Sequence, residues 1–110
     1  MKKTGIEFQY FKGCPNASAT VDNLRQALTE LNLNPKELTI VEIPDFETSA
    51  LKNFQGSPTV LIEGKDAYTE SVPQGSHYTC RLFQISGVAT GVLPVTYLKE
   101  KLQKLFIKSL

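Results

Sequence analysis

Of the two cysteines and one histidine in this chain, Cys14 has the context that makes a thiol reactive. It follows Phe11-Lys12-Gly13 and precedes Pro15-Asn16-Ala17, between a strand-like and a helix-like segment. Exposed backbone N–H groups and the positive end of a helix dipole stabilise a thiolate at such a junction, and Lys12 adds charge of the same sign. Only the thiolate attacks disulfides or binds soft metals, so Cys14 is the natural nucleophile of the chain. The competing reading is a cysteine packed as a small hydrophobe. Its place before Pro15 at a helix start favours reactivity.

Cys80 and His77 offer less. Alternation through Cys80, Leu82 and Gln84 does not tell which way the Cys80 thiol faces. In an antiparallel fourth strand its start lies away from Cys14, so a packing role is expected. His77-x-x-Cys80 resembles half of a metal site, but a closed zinc site needs four ligands and no convincing others are present. No metal is therefore assigned. Tyr68 and Tyr78, in the same polar stretch, either line a groove or pack the loop down.

The elements that must position these groups are legible from periodicity. Ile6, Phe8 and Tyr10 alternate with Glu7 and Gln9, which predicts a strand over residues 5–11 that ends by Gly13. From Cys14-Pro15, Ala17, Val21, Leu24, Leu28 and Leu31 recur at spacings of three and four, predicting a helix that stops near Asn32 to Pro35. Leu38 to Ile43, bounded by Pro35 and Pro44, reads as a buried second strand parallel to the first. Phe46, Ala50, Leu51 and Phe54 are spaced for a short helix, and Gly56-Ser57-Pro58 interrupts it before a third strand, Thr59 to Ile62. Glu63-Gly64-Lys65-Asp66 is a turn signal; the next strand-like run, Cys80 to Ile85, comes only after a long polar connection. Gly87, Gly91 and Pro94 precede an amphipathic helix carrying Val95, Leu98, Leu102, Leu105 and Phe106.

Composition fits one small domain over residues 1–110: 41% hydrophobic, 21% charged and a formal net charge of +1. Lys99, Lys101, Lys104 and Lys108 are spread along the last helix and interleaved with Glu100, the pattern of a solvated face, so nucleic acid is not an expected partner. No apolar run is long enough for a membrane span, and the basic opening meets Glu7 before any apolar stretch, a poor leader. The expected location is the cytoplasm. No glycine-rich phosphate loop is present, and no nucleotide cofactor is inferred.

The order strand, helix, strand, helix, strand, strand, helix resembles the thioredoxin-like superfamily. More narrowly, Glu7-x-x-Tyr10-Phe11-x-Gly13-Cys14-Pro15-Asn16, then Gly56-Ser57-Pro58-Thr59-Val60, then Cys80-Arg81-Leu82-Phe83 resembles a group of small bacterial thioredoxin-like proteins of unassigned function with a single Cys-Pro-Asn-Ala motif. Some members carry an alkylmercury-lyase label; cleaving and protonating a carbon–mercury bond needs more than one thiol with an acid, so that activity is not carried over. The resemblance implies an α/β fold with a central four-stranded mixed sheet flanked by helices. It also implies a cis Pro58 facing Cys14, and a substrate segment held by Pro15, Ser57, Pro58 and Thr59, with the Ser57 backbone pairing as an edge strand does.

Ala17 stands where a Cys-x-x-Cys oxidoreductase carries its resolving thiol. A mixed disulfide at Cys14 therefore needs an outside thiol such as glutathione, or Cys80 if it comes close. The expected function is monothiol exchange on a protein or small-molecule disulfide. The alternative is a binding module that holds a soft metal ion, such as mercury or copper(I), or a protein partner through Cys14.

Overall fold

The computed structural model describes residues 5–108; residues 1–4, part of the opening weighed as a leader, and 109–110 lie outside the described residues. Strand β1 (Ile6–Tyr10) forms where expected, with Ile6 and Phe8 buried in the core, but the alternation breaks at its end: Gln9 is buried and Tyr10 only half-buried. Helix α1 (Ala17–Glu30) buries Ala17, Thr20, Leu24, Ala27 and Leu28 along one face. It begins later than Cys14-Pro15. Pro15 disfavours helical backbone at the residue before it, so Cys14, Pro15 and Asn16 form a turn, with the Cys14 amide donating to the Phe11 carbonyl at 3.3 Å. The helix ends in a Schellman motif: Asn32 is left-handed (φ 57°), and Leu33 N–H reaches the Leu28 carbonyl at 2.9 Å.

Strand β2 (Leu38–Glu42) runs parallel to β1, in register from Ile6 against Leu38 to Tyr10 against Glu42. It is an edge strand and not a buried one, and Ile40 is 43% exposed. Helix α2 (Phe46–Lys52) is capped by Asp45, whose Oδ1 accepts from the Thr48 amide at 2.8 Å. Strand β3 (Thr59–Ile62) pairs antiparallel with β1.

The fourth strand differs from expectation. Glu63 and Gly64 both adopt positive φ (53° and 81°), the two-residue turn that reverses a chain at once, and β4 (Lys65–Asp66) pairs back onto β3. The mixed sheet therefore has the order β2-β1-β3-β4, without Cys80–Ile85. Phe83–Ile85 forms β5, which pairs only with β6 (Val88–Thr90) in a separate hairpin. Helix α3 (Val95–Leu102) continues as a π-helical turn over Gln103–Ile107. Leu98, Leu102 and Phe106 join Leu24, Leu28, Phe8 and Ile62 in the main core. Fully buried Ile43 and Phe54 lie outside that cluster, and Phe54 instead meets the rings of Phe11 and Tyr78.

Two sets of charges tie the long connection after β4 to the rest. Arg81 pairs with the buried carboxylate of Asp66 at 2.7 Å, donates to Thr59 Oγ1 at 3.2 Å and lies over the Phe83 ring at 5.0 Å. Asp66 Oδ1 meanwhile accepts from the Tyr68 and Thr69 amides. The lysines of α3 are not a uniformly solvated face. Lys101 is buried and bonded to Glu70, Lys104 reaches the same carboxylate at 2.7 Å, and Lys99 joins Glu30 of α1 at 2.9 Å. Glu70 attracts both ammonium groups, and of these lysines only Lys101 turns inward, while Lys104 stays exposed.

Removing the guanidinium while keeping bulk, as in Arg81→Met, takes away the counter-charge of buried Asp66 and leaves it only the Tyr68 and Thr69 amides. The expected loss is about 3–5 kcal/mol, read from urea unfolding. The hydrogen bonds from Lys101 and Lys104 hold Glu70 at about 2, down from its ordinary 4.5. A depressed carboxylate stabilises the fold fully above its unfolded value and loses that contribution as pH falls towards the folded one. Glu70→Gln is thus expected to lower the unfolding midpoint at pH 7. The gap from the wild type should narrow between about pH 4.5 and 2, as followed by denaturation across that range.

Candidate thiol site

Cys14 lies in the turn joining β1 to α1, half-buried, with its Sγ 3.7 Å from the carbonyl oxygen of Ser57. Ser57 is fully buried one residue ahead of β3. Its hydroxyl accepts from the Phe11 amide at 3.3 Å, which ties the end of β1 to the segment entering β3. The Ser57–Pro58 peptide bond is cis, and Pro58 is buried.

Both backbone groups of Ser57 have partners within the chain. Its N–H donates to the Thr79 carbonyl at 2.9 Å, and its carbonyl accepts the Arg81 N–H at 2.8 Å. Ser57 and Cys80 thereby form a parallel β-bridge. With Cys14 Sγ as a second donor, both lone pairs of that carbonyl are engaged. The edge that the sequence resemblance assigns to a substrate strand is occupied by residues 79–81. The expected distance between Cys80 and the Cys14 end of the sheet also does not hold, because Cys80 belongs to no strand of that sheet and returns parallel beside Ser57.

Two neighbours hold this returning segment. Tyr78 donates its hydroxyl to the Ile43 carbonyl at 3.1 Å and meets the Phe11 ring edge-on at 5.3 Å. Arg81 is anchored on Asp66 as described. Gly56 permits the close approach: its φ is 110°, and a Cβ there would sit 3.1 Å from the Thr79 carbonyl oxygen. Tyr68 likewise packs the connection down, against Phe83 at 5.0 Å, while its hydroxyl accepts from the Gln84 amide at 2.9 Å.

Cys14, Ser57 and Cys80 therefore meet around one peptide unit. Thr59 does not join them; it is buried, and its hydroxyl donates to the Gly56 carbonyl and accepts from Arg81. Pro15 is exposed beside Cys14 in the turn. Gly91 lies against the Asn16 side chain, which would have to move to admit a Cβ there, so the loop before α3 packs on the Cys14 turn. His77 is exposed, and among the described residues no group of three or more His, Cys, Asp or Glu side chains is placed to hold a metal.

On another side of Cys14 is an open cleft of about 350 Å³ lined by Tyr10, Phe11, Ala17, Val21 and Ile40, with Lys12 among its lining residues. Sequence reasoning did not find it. Val21 and Ile40 were assigned to buried faces, and only the edge position of β2 leaves Ile40 free to form a wall. None of the residues lining the cleft is acidic.

Comparison with protein-family models, curated proteins and solved structures gives no match. Among the described residues, no helix is long and apolar enough to cross a membrane.

Gly56→Ala places a side chain where φ is positive and the Thr79 carbonyl is near. The expected cost is about 1–3 kcal/mol. Faster hydrogen exchange at the Ser57 and Arg81 amides, with the β1 amides unchanged, is the accompanying sign that the 79–81 pairing has loosened.

Proposed function

We propose that this chain is a thioredoxin-like thiol protein in which Cys14 exchanges with disulfides. The observation that carries the reading is the half-buried Cys14 thiol, held 3.7 Å from the Ser57 carbonyl ahead of a cis proline and opening on an apolar cleft. The strand order β2-β1-β3-β4, with β1 parallel to β2 and antiparallel to β3, supports the same reading.

In the reaction, the Cys14 thiolate attacks one sulfur of a disulfide. A bond forms between Cys14 Sγ and that sulfur as the original S–S bond breaks, and the other half leaves as a thiolate that takes a proton from water. A second thiol, such as glutathione, then attacks the mixed disulfide and restores Cys14. Apolar walls favour a leaving group or substrate with hydrocarbon surface, which loses contact with water on entering the cleft. No cofactor is required by this sequence of steps.

Cys14→Ser is expected to abolish exchange with a chromogenic aromatic disulfide at the protein's single motif thiol, while far-ultraviolet circular dichroism stays that of the wild type. Because Cys80 also bears a thiol, the comparison is made in a Cys80→Ser background. Equal release of aromatic thiolate with and without Cys14 would remove the proposal. Uptake of one equivalent of mercury or copper(I) at Cys14 with no disulfide exchange would replace it with a binding role.

A further inference from the structure

Cys80 bears a nucleophilic side chain, bridges Ser57 through its backbone and has no role in the exchange reaction. Its backbone is opposite Ser57 in a parallel bridge, and adjacent strands lie about 4.8 Å apart. The Cys14 thiol contacts the carbonyl of the same Ser57 at 3.7 Å. One peptide unit is therefore the common neighbour of both cysteines. Both are free thiols, Cys14 half-buried and Cys80 exposed.

The placement of Cys80 is held from both sides. Tyr78 is tied to the Ile43 carbonyl and to the Phe11 ring, and Arg81 to Asp66, so the residue two before Cys80 and the residue after it are both anchored. The Ser57 bonds to Thr79 and Arg81 straddle Cys80 itself. These contacts restrict the backbone at residue 80 but leave its side chain exposed and able to change rotamer. A thiol kept beside a reacting centre in this way has a large effective concentration over any thiol arriving from solution.

We propose that Cys80 is the resolving thiol of this protein, so that Cys14 and Cys80 together form a dithiol pair outside the Cys-x-x-Cys spacing. The inference rests on the exchange reaction at Cys14 and adds its second step. After Cys14 has taken up half of a low-molecular-weight disulfide, the Cys80 thiolate attacks Cys14 Sγ. The Cys14–Cys80 bond forms, the bond to the adduct breaks, and the adduct leaves as a thiolate that is protonated by water. The protein has then been oxidised by two electrons and the external disulfide reduced to two thiols. Closing the bridge brings the two Cα atoms to within about 7 Å of each other.

The test is to treat the reduced protein with glutathione disulfide, quench with an alkylating reagent and measure intact mass and peptide linkage. The wild type is expected to lose both alkylatable thiols, carry no glutathione and yield a Cys14–Cys80 linked peptide pair. Cys80→Ser is expected to stop with one glutathione on Cys14. Should the wild type also stop with glutathione on Cys14 and with Cys80 still alkylated, the resolving role is overturned while exchange at Cys14 stands. Should Cys14 in Cys80→Ser exchange with neither glutathione disulfide nor the aromatic disulfide, and no bridge form in the wild type, both proposals fail. Cys80→Ala, which removes the hydroxyl that serine introduces, is expected to trap the same adduct; a bridge-free wild type beside a trapped Cys80→Ala again counts against the resolving role.

Discussion

A charge in a protein interior is tolerated when an opposite charge and hydrogen bonds compensate its lost hydration, and Arg81 with Asp66 meets that condition. The carboxylate is buried, with one oxygen taken by the turn amides of Tyr68 and Thr69 and the other facing the guanidinium. The guanidinium in turn binds the Thr59 hydroxyl in β3 and lies over the Tyr68 and Phe83 rings. Because Arg81 also gives its backbone N–H to Ser57, the same residue that neutralises Asp66 places the chain beside Cys14. The position of the returning segment follows from where a buried carboxylate needs its counter-charge.

Elements with their own periodicity were legible without the structure. The strand through Ile6, Phe8 and Tyr10, the stripe along α1 and the parallel β1–β2 pairing each rest on patterns contained within a few turns or one crossover. The fourth strand escaped because Lys65–Asp66 is too short to carry alternation, and its signal is the preceding Glu63-Gly64 turn. Cys80–Ile85 has the composition of a sheet strand, yet Leu82 is 66% exposed and only Phe83–Ile85 pairs, within its own hairpin. Burial at residues 80–85 depends on a pairing between positions 66 and 81, which no local pattern contains.

The site was legible to the same degree. Cys14 announces itself by its neighbours, and Ser57-Pro58 by the break before a strand. That Thr59 serves the interior, and that Cys80 approaches Ser57, are products of the Arg81 anchor. The consequence is asymmetry around one thiol: on one side a backbone edge already satisfied by the chain itself, on another an open apolar cleft. Backbone pairing selects partners by main-chain geometry, whereas a cleft of Tyr10, Val21 and Ile40 selects by shape and hydrocarbon surface.

Strand β2 leaves one side of its ladder open, with Ile40 exposed. An open ladder is a template on which other chains can add and grow into fibres, and segments prone to this run six or seven residues without proline or charge. Here Leu38–Glu42 spans five residues, with Pro35 before it and Pro44 after it, and with Glu37, Glu42 and Asp45 close at hand. The prolines that delimit β2 in the fold also act as gatekeepers against amyloid-like stacking, so an edge left bare to form one wall of the cleft stays too short and too charged to seed aggregation.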